Sequence, residues 1–475
     1  MSDNAVTPAS TRISMLLDGN SFVEFGAKVK ARSTDFNIGS EAKCGDGVIT
    51  GYGLIDGNLV YVYSQDASVL GGSIGEMHAK KIIALYDMAM KMGAPIIGLI
   101  DCSGIRLKES CDSLNALGEL YKKQALCSGV VPQITAVFGQ CGGGLTLIPA
   151  LSDFTFVESK AKVFVNSPNA IYGNNISKLD TSSAEFQAEK TGLADFIGSE
   201  EEILGRIREL ISVLPANNED VAYDDCEDDL NRVCENLGSA AGDTAILLAN
   251  IADNGIVIEK GASYGIDILT SLIKLNGMTV GVVANRSEIV GEDGKITKIE
   301  AGISSCAADK ASEFITFCDS FNIPVLTIAN ASGFRACECA EKTIAKNLAT
   351  LVYAYATADV PKVTLVVGKL YGSAYSILNS KGLGADLVCA WPQAEIGMMD
   401  SKMAAKLLCE GQDADISAKA EEFSNLQNSL DAAAARGYVD VIIEPEDTRK
   451  YLIGAFEMLY TKKEDRPAKK HGAVL

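Results

Sequence analysis

The length, composition and charge of the chain exclude several classes of protein. At 475 residues, 47% of them hydrophobic, it is expected to form two or three domains with large cores. A formal net charge of −20 argues against a nucleic-acid partner, whose phosphates need a basic face. The sequence contains no run of 18 apolar residues, so no membrane span is predicted, and the first residues lack the pattern of a signal peptide.

The thirteen cysteines are scattered without the paired spacing of a zinc site. Cys337 and Cys339 come nearest to a ligand pair, and no second pair completes it. Free thiols are typical of a reducing compartment, so we expect a cytoplasmic protein without a metal. The sequence has two histidines, His78 and His471, which restricts the use of histidine in catalysis.

In chain order, the first half predicts a β-hairpin, a helix and two buried strands. The dipeptide Asp56-Gly57 precedes the apolar run 60–63 and supplies the positive φ angles of a tight hairpin turn. A helical stretch follows, then strands over 96–100 and 134–138. Strands that alternate with helices indicate an α/β class.

The second half repeats this order, with an Asn276-Gly277 turn and a strand over 325–328. Three motif pairs share one offset in residue number: Ser103-Gly104-Ile105-Arg106 with Ser332-Gly333-Phe334-Arg335 (332 − 103 = 229), Val131-Pro132 with Val360-Pro361 (361 − 132 = 229), and Gly139 with Gly368 (368 − 139 = 229). Two domains of one fold are therefore predicted, over 1–216 and 241–475. The segment 217–240, which contains a run of acidic residues, is predicted to be a linker.

Each half carries a glycine-rich turn after its second buried strand, over 139–145 and 368–374. Turns from strand to helix expose N–H groups that can hold an oxyanion, assisted by the helix dipole. Close packing of a helix on a strand would also select small residues. Two such turns at one repeat offset favour anion sites.

A second loop precedes each turn, over 102–106 and 331–335. Each loop follows a strand at its carboxyl end, where α/β sheets bind ligands. Arg106 and Arg335 are either phosphate contacts or solvated surface arginines.

The run Gly71-Gly72-Ser73-Ile74-Gly75 matches the nucleophile elbow of serine hydrolases. His78 lies five residues later on the same predicted helix, and His471 lies in a basic tail, so neither suits a catalytic triad. We expect Ser73 and Glu76 to form an N-cap and capping box instead. The loop remains a candidate for ligand contact, without a nucleophile.

The run Ala89-Met90-Lys91-Met92 matches the sequence around biotinylated lysines. It lies near the end of a predicted helix, whereas biotinylated lysines occupy hairpin tips of small all-β domains. We therefore expect that this chain carries no biotin itself.

Nearly the whole sequence resembles one family, the carboxyltransferase subunits of biotin-dependent acyl-CoA carboxylases and decarboxylases. The family includes the β subunits of propionyl-CoA and acetyl-CoA carboxylases and the α subunit of methylmalonyl-CoA decarboxylase. The segments that carry the resemblance are Gly45 to Gly53, Ser64-Gln65-Asp66, Gly71 to Lys81, Ser128 to Ile134, Phe317-Cys318-Asp319, Ala390-Trp391-Pro392, Arg436 to Asp440, Ile443-Glu444-Pro445 and Lys469 to Gly472.

The resemblance implies two tandem crotonase-like domains of the ClpP/crotonase superfamily and a reaction without a protein nucleophile. Carboxybiotin on a biotin carboxyl carrier protein would exchange its carboxyl group with the α-carbon of a short acyl-CoA through an enolate. By family analogy, Gly143 and Gly144 hold the thioester oxygen, while Ser373 and Ala374 hold the ureido oxygen of biotin. Homo-oligomers, dimers or hexamers, are implied, since family sites form between subunits.

The resemblance also implies binding residues in each half. On the acyl-CoA side these are Gly71, Gly72, Ser73, Gly104, Ile105, Arg106 and Gly142. On the biotin side they are Gly333, Phe334, Gly372, Tyr375 and Ser376. No metal ligand is implied.

This sequence departs from the family mainly in the biotin-facing half. A Pro-Gly-Phe-Leu-Pro-Gly run is replaced by Ser332 to Cys337, and an arginine before Lys369 is replaced by Gly368. An acidic residue tied to substrate choice is replaced by Ser376, and a Gly-Gly-Ile-Ile-Arg-His stretch is lost near 341–347. In the first half, Ser103-Gly104-Ile105 replaces a run of adjacent glycines.

Three functions remain open at this point. The first is a carboxyltransferase that works with a biotin carboxylase subunit on acetyl-, propionyl- or methylmalonyl-CoA. The second is the soluble subunit of a sodium-translocating methylmalonyl-CoA decarboxylase, with a membrane subunit as partner. The third is a non-catalytic paralogue with an altered biotin site, because fold alone does not fix function.

Overall fold

The computed structural model describes residues 7–32, 35–36, 43–291, 293–300, 302–410 and 415–464. It divides into two compact units, residues 1–221 and 222–475. The division falls inside the segment 217–240 that was predicted to be a linker. Each unit contains its own sheet and its own hydrophobic core.

The described part of the first unit has eight strands and six helices. The strands are β1 (Val23–Phe25), β2 (Val48–Ile55), β3 (Asn58–Gln65), β4 (Ile96–Cys102), β5 (Gln133–Gly142), β6 (Phe154–Glu158), β7 (Lys162–Phe164) and β8 (Phe196–Gly198). The helices are α1 (Pro8–Leu16), α2 (Glu76–Met92), α3 (Ser110–Cys127), α4 (Leu147–Ala150), α5 (Ala184–Glu189) and α6 (Glu200–Ile211).

The described part of the second unit has ten strands and nine helices. The strands are β9 (Val257–Lys260), β10 (Ile268–Leu275), β11 (Met278–Asn285), β12 (Glu288–Val290), β13 (Ile296–Lys298), β14 (Val325–Ala331), β15 (Lys362–Tyr371), β16 (Leu387–Ala390), β17 (Glu395–Gly397) and β18 (Val441–Ile442). The helices are α7 (Thr244–Ile251), α8 (Ser305–Ser320), α9 (Glu338–Glu341), α10 (Ile344–Thr357), α11 (Gly372–Ile377), α12 (Ser401–Leu408), α13 (Ile416–Phe423), α14 (Leu430–Ala435) and α15 (Thr448–Leu459).

The two main sheets have the same strand order. In the first unit the order is β1-β2-β3-β4-β5-β6-β8, with β7 paired to β5; in the second it is β9-β10-β11-β14-β15-β16-β18, with β17 paired to β15. The first three strands of each sheet are antiparallel and the rest are parallel. The internal repeat predicted from sequence is therefore a repeat of topology. The second unit adds the two-stranded ribbon β12-β13.

The predicted hairpins form as expected. Asp56 and Gly57 have φ angles of +48° and +83°, and Asn276 and Gly277 have +52° and +82°, as a tight two-residue turn requires. Gly277 has a further constraint, because a Cβ there would lie 1.8 Å from the carbonyl oxygen of Asp224.

The central parallel strands are buried on both faces. All of Ile96–Ile100 in β4 and the first six residues of β5 are buried, as are the corresponding parts of β14 and β15. Strands buried on both faces form largely apolar runs, which is why parts of β4, β5 and β14 were recognisable in the sequence.

The segment predicted as an acidic linker is largely part of the second unit. The backbone N–H of Asp224 donates to the Gly277 carbonyl across 3.0 Å. The guanidinium of Arg449, which is fully buried, lies 2.6 Å from Asp253 and 3.5 Å from Asp228, and its Nε donates to the Asp229 carbonyl. Within this segment Asp228 therefore helps Asp253 to neutralise a buried arginine, a role that the charge pattern of the segment alone does not reveal.

A buried lysine supports the segment that leads into the hairpin of each unit. Lys81 on α2 donates to the carbonyls of Gly45 and Val48, and Lys310 on α8 donates to those of Gly261 and Tyr264. The two lysines are related by the repeat offset (310 − 81 = 229), one more match to the repeat. Burial lowers the pKa of Lys81 to about 8.

None of the described helices is long and apolar enough to cross a membrane.

Candidate functional site

The first glycine-rich turn lies at the carboxyl end of β5. The strand continues through 139–142, and the chain turns at Gly143, whose φ is +65°. A short 3-10 helix over 143–146 follows. The first N–H groups of such a helix have no partner within it, so they are available to an acceptor.

The prediction that the turn begins at Gly139 is wrong by four residues, for a reason of packing. A Cβ at Gly139 would lie 2.1 Å from Asp101 Oδ1, and one at Gly142 would lie 2.7 Å from the Phe164 ring. A Cβ at Gly143 would meet no atom within 4 Å. Close packing therefore explains the outer glycines, whereas Gly143 is required by its backbone conformation and faces open space.

The backbone beyond Gly143 is held in place by side chains. The Tyr121 hydroxyl donates to the carbonyl of Gly144 across 2.5 Å, and the Thr146 hydroxyl donates to the carbonyl of Phe164 across 2.8 Å. These contacts fix the backbone around the turn before any ligand arrives. Preorganised donors of this kind are what an oxyanion site needs.

The second turn repeats the first at the carboxyl end of β15. Gly372 has a φ of +61° and opens α11, and it follows Gly143 by the repeat offset (372 − 143 = 229). By the same offset Ser373 corresponds to Gly144, and Ala374 corresponds to the buried Leu145. The repeat equivalents of Gly143 and Gly144 are Gly372 and Ser373, whereas the family analogy gives Ser373 and Ala374. The pair expected in the second unit therefore lies one residue later, and the two pairs share only the position that Gly144 and Ser373 occupy.

A pair of loops lies beside each turn. In the first unit, three backbone hydrogen bonds of 2.9 to 3.0 Å join the loops. The N–H of Ser103 donates to the Gly71 carbonyl, that of Ile74 to the Gly104 carbonyl, and that of Arg106 to the Ile74 carbonyl. In the second, Ile303 donates to Gly333 and Arg335 to Ile303, each over 3.0 Å. Sequence reasoning missed Gly302 and Ile303, although Ile303 follows Ile74 by the repeat offset (303 − 74 = 229), which identifies it.

Arg106 is buried and paired within the protein, so it is not the solvated surface arginine that the sequence left open as one alternative. Its side chain is 5% exposed, and its guanidinium lies 2.7 Å from both Asp46 Oδ1 and Glu109 Oε1 and donates to the Ser73 carbonyl. Burial raises the pKa of Asp46, and the arginine opposes that rise. Arg106 instead fixes the two loops that flank the first turn.

Ser73 does not cap α2, so the predicted capping box is wrong. The Ser73 hydroxyl donates to the Leu70 carbonyl across 2.7 Å, and Gly75 occupies the N-cap position. The Glu109 carboxylate accepts the N–H of Glu76 across 2.6 Å and supplies the cap from a distant loop.

His78 is a structural histidine. It is fully buried, its Nδ1 lies 2.9 Å from the Asp46 carbonyl, and its Nε2 lies 3.1 Å from the Gln65 amide. Burial lowers its pKa to about 3, so the ring is neutral near pH 7 and both nitrogens are engaged. It does not serve Ser73 as a base. His471 lies outside the described residues.

A cleft of about 640 Å³ opens beside the second turn. Three of the five residues expected to bind biotin line it, Gly372, Tyr375 and Ser376, together with Ser373; its apolar wall consists of Ile396, Met398, Phe423 and Tyr438. Gly333 and Phe334 belong instead to the loop that pairs with Ile303. In the first unit, a cleft of about 450 Å³ is lined by Asp66, Ser68 and Val69, just before the expected Gly71.

The described residues contain no group of three or more histidine, cysteine or acidic side chains placed to hold a metal. The twelve cysteines whose side chains are described are all free. Cys102 and Cys141 lie opposite each other on β4 and β5, and burial raises the pKa of both thiols.

Comparison with known proteins identifies the family to which this chain belongs. Residues 6–474 match the family described as carboxyl transferase domain. The chain belongs to the carboxyl transferase family. Its relatives include the α subunit of methylmalonyl-CoA decarboxylase from Propionigenium modestum, at 38% identity over 98% of this chain and 92% of that one. The propionyl-CoA carboxylase β chain of Saccharopolyspora erythraea is 36% identical over 98% and 90%.

The fold of the carboxyl transferase is also that of a solved relative. Transcarboxylase 12S, crystallised as a hexamer with hydrolysed methylmalonyl-coenzyme A bound, superposes with a TM-score of 0.91 at 36% identity. The match covers 98% of this chain and 92% of that one. The prediction of an α/β protein with two tandem crotonase-like domains is confirmed.

Replacement of Gly143 by alanine should abolish most activity without unfolding the protein. Gly57 offers a matched control: its φ is +83°, a Cβ there also meets nothing within 4 Å, and its turn lies at the opposite ends of the strands. Both variants bear a backbone cost of about 1 kcal/mol. We expect Gly143→Ala to lose about 10²–10³-fold in carboxyl transfer, the range for a disrupted oxyanion site, because its methyl group would fill the open space that the oxyanion needs. Gly57→Ala should keep its activity. Equal activity of the two purified variants would remove Gly143 from the site.

Arg106→Ala should destabilise the first unit strongly, because it leaves Asp46 and Glu109 buried without a cation. Breaking a buried ion pair in this way costs about 3–5 kcal/mol. The repeat-equivalent change Arg335→Ala is the control. Arg335 is 23% exposed, lies 3.7 Å from Asp267 and 3.5 Å from Glu300, and Asp267 keeps two hydrogen bonds from Ser304. Urea midpoints that shift equally in both variants would contradict this assignment.

Proposed function

We propose that this carboxyltransferase moves a carboxyl group between carboxybiotin, held on a separate carrier protein, and the α-carbon of a short acyl-CoA. Propionyl-CoA with methylmalonyl-CoA, or acetyl-CoA, are the proposed substrates. The observation that carries the proposal is the pair of positive-φ turns, Gly143 and Gly372, one repeat apart at the ends of equivalent strands.

Two oxyanion sites match the charge changes of this reaction. The N–C bond of carboxybiotin breaks with its electron pair returning to the ureido group, which takes up the α-proton; the α-carbon pair then forms the new C–C bond to CO2. Negative charge develops on the thioester oxygen and on the ureido oxygen. N–H donors at Gly143 and Gly144 would stabilise the first, and donors at Ser373 and Ala374 the second. A site that stabilises both needs no protein nucleophile.

The cleft beside the second turn fits a biotin ring. Its wall of Ile396, Phe423 and Tyr438 suits the apolar part of a bicycle, and the N–H groups of the turn suit its one polar edge. Tyr375 also lines this cleft and is half-buried, and burial raises the pKa of its hydroxyl, so it is a neutral donor or acceptor near pH 7.

On the acyl-CoA side, the proposed contacts are the loop backbones over 71–73 and 104–105, with Gly142. Arg106 supports these loops from beneath. Transcarboxylase 12S carries hydrolysed methylmalonyl-coenzyme A in its crystal structure, which favours the same ligand class here. A panel of acyl-CoAs assayed for carboxylation and decarboxylation with free biotin would test the proposal, and no transfer with any of them would favour a non-catalytic paralogue.

A second candidate function has a specific observation in its favour. Two decarboxylase α subunits, from Propionigenium modestum and Veillonella parvula, are 38% identical to this chain. The same site would then run in the decarboxylation direction within a sodium-translocating complex, with a membrane subunit as partner. A carboxylase would instead work with a biotin carboxylase subunit. We place either enzyme in the cytoplasm. Co-purification of the native complex would distinguish the two.

Removal of the N–H at position 373 should slow transfer while leaving CoA binding unchanged. Proline lacks this N–H and is tolerated in the first helical turn, where Ser373 is the second residue of α11. We expect Ser373→Pro to lose about 10²–10³-fold in transfer. Ser373→Ala retains the donor and should lose far less. Calorimetric titration with CoA should give equal affinities for both variants. Weakened CoA binding in Ser373→Pro would mean that the two halves are assigned in reverse.

Activity should require assembly of at least two subunits. Each half of the chain contributes one oxyanion turn, and we propose that a complete site combines the turns of different subunits in an assembly like that of the hexameric relative. Dilution should therefore reduce activity in parallel with dissociation. Sedimentation and transfer rates measured over the same concentration range would reveal this. A fully active monomer would contradict the proposal.

A further inference from the structure

A small polar cleft lies at the carboxyl edge of the second sheet, separate from the cleft beside Gly372. Its volume is about 190 Å³. Asn285 at the end of β11, Ala331 at the end of β14 and Lys369 near the end of β15 contribute to its lining. The carboxyl ends of parallel strands are where α/β sheets hold ligands.

Among the three cations at or near this cleft, Lys369 is the one whose charge is least neutralised by carboxylates. Its side chain is 55% exposed, and the nearest carboxylate oxygen among the described residues, Asp400 Oδ2, is 4.0 Å away. The two arginines near the cleft are paired more closely: Arg286 lies 3.0 Å from the buried Asp243, and Arg335 lies between Asp267 and Glu300. The Lys369 ammonium is therefore available to an anion.

The fold does not require a positive charge at this place. The equivalent position in the first unit is Gln140, which precedes Lys369 by the repeat offset (369 − 140 = 229) and is likewise exposed on β5. Both residues stand opposite the short strand that pairs beside the turn, Gln140 with Lys162 and Lys369 with Glu395. The cation thus distinguishes the second half from the first at a site the repeat otherwise conserves.

Polar groups beside Lys369 can complete an anion site. Ser332 is exposed at the rim, and the side-chain oxygen of Asn330 accepts the backbone N–H of Lys369 across 3.2 Å, which fixes the strand end. Two carboxylates also line the cleft. Asp267 and Glu300 share one cation, Arg335, at 3.7 and 3.5 Å, and Asp267 also accepts two hydrogen bonds from Ser304.

We propose that Lys369, with the cleft it lines, binds the carboxylate of the incoming carboxybiotin, an assignment that rests on the proposed function. In carboxybiotin the carboxylate is attached to the nitrogen next to the ureido carbonyl. The protein groups that bind the carboxylate and the ureido oxygen must therefore be neighbours. Lys369 is three residues before Gly372 at the same strand end. A lysine here recognises the charged, loaded form of the carrier group over the unloaded form.

The interaction belongs to the ground state, which fixes the kinetic signature. Charge leaves the carboxylate as CO2 forms, so the ammonium contact weakens towards the transition state. Lys369→Gln, which installs the residue of the first unit, should raise the KM for carboxybiotin about 10- to 100-fold, the range for a lost hydrogen bond to a charged group. It should raise kcat rather than lower it, because the lost contact stabilises the bound substrate more than the transition state. Lys369→Arg should keep most of the affinity.

The experiment measures transfer from free carboxybiotin to propionyl-CoA and, separately, inhibition of that transfer by free biotin. We expect Lys369→Gln to bind carboxybiotin less tightly and to be inhibited by biotin as the unchanged protein is. Lys450→Gln, which removes the same charge from α15 outside the cleft, controls for bulk electrostatics. Gln is tolerated at the equivalent position of the first unit, so the variant is expected to fold.

Each outcome has a defined meaning. If the unchanged protein transfers carboxyl groups but Lys369→Gln keeps its KM, the carboxylate assignment is wrong and the proposed function stands. A fall in kcat with an unchanged KM also overturns the assignment, because it would place Lys369 against charge that develops in the transition state. If the unchanged protein transfers to no acyl-CoA, the proposed function itself fails.

Discussion

The parallel core of each sheet limits where chemistry can take place. Because β4 and β5 are buried on both faces, as are β14 and β15, only the ends of these strands can meet a ligand. At the carboxyl end of β5 the chain must leave the sheet at once, and Gly143 allows this with a positive φ. The helix that follows begins with N–H groups that have no partner inside it. The proposed chemistry depends on this local geometry.

Duplication gives the protein two copies of this geometry, and divergence then gives each copy its own environment. The glycines at 143 and 372, the bridging isoleucines at 74 and 303 and the buried lysines at 81 and 310 all keep the repeat offset. The loop arginines keep it too, but Arg106 is enclosed by two carboxylates while Arg335 remains partly exposed. Shared positions maintain the fold, and the changed ones give each half its own environment.

Much of this architecture was predictable from sequence because the signals are local. The hairpin dipeptides, the apolar strands and the constant offset each depend on few neighbouring residues. Contacts between distant segments were not predictable in the same way. Glu109 caps α2 from a later loop, and Arg449 near the end of the chain pairs with Asp228 near its middle, so neither shows in a local pattern. The burial of Arg106, whose guanidinium binds protein carboxylates, likewise depends on contacts that no local pattern shows.

The acidic segment before residue 241 has a practical consequence for dividing the chain. A fragment that begins at 241 would lose Asp228 and the Asp229 carbonyl, both partners of the buried Arg449. It would also lose the Asp224 backbone that closes against Gly277. Expression of the second half as an independent domain should therefore start at or before Ala222, where the compact unit begins, even though composition alone places the boundary well after the acidic run.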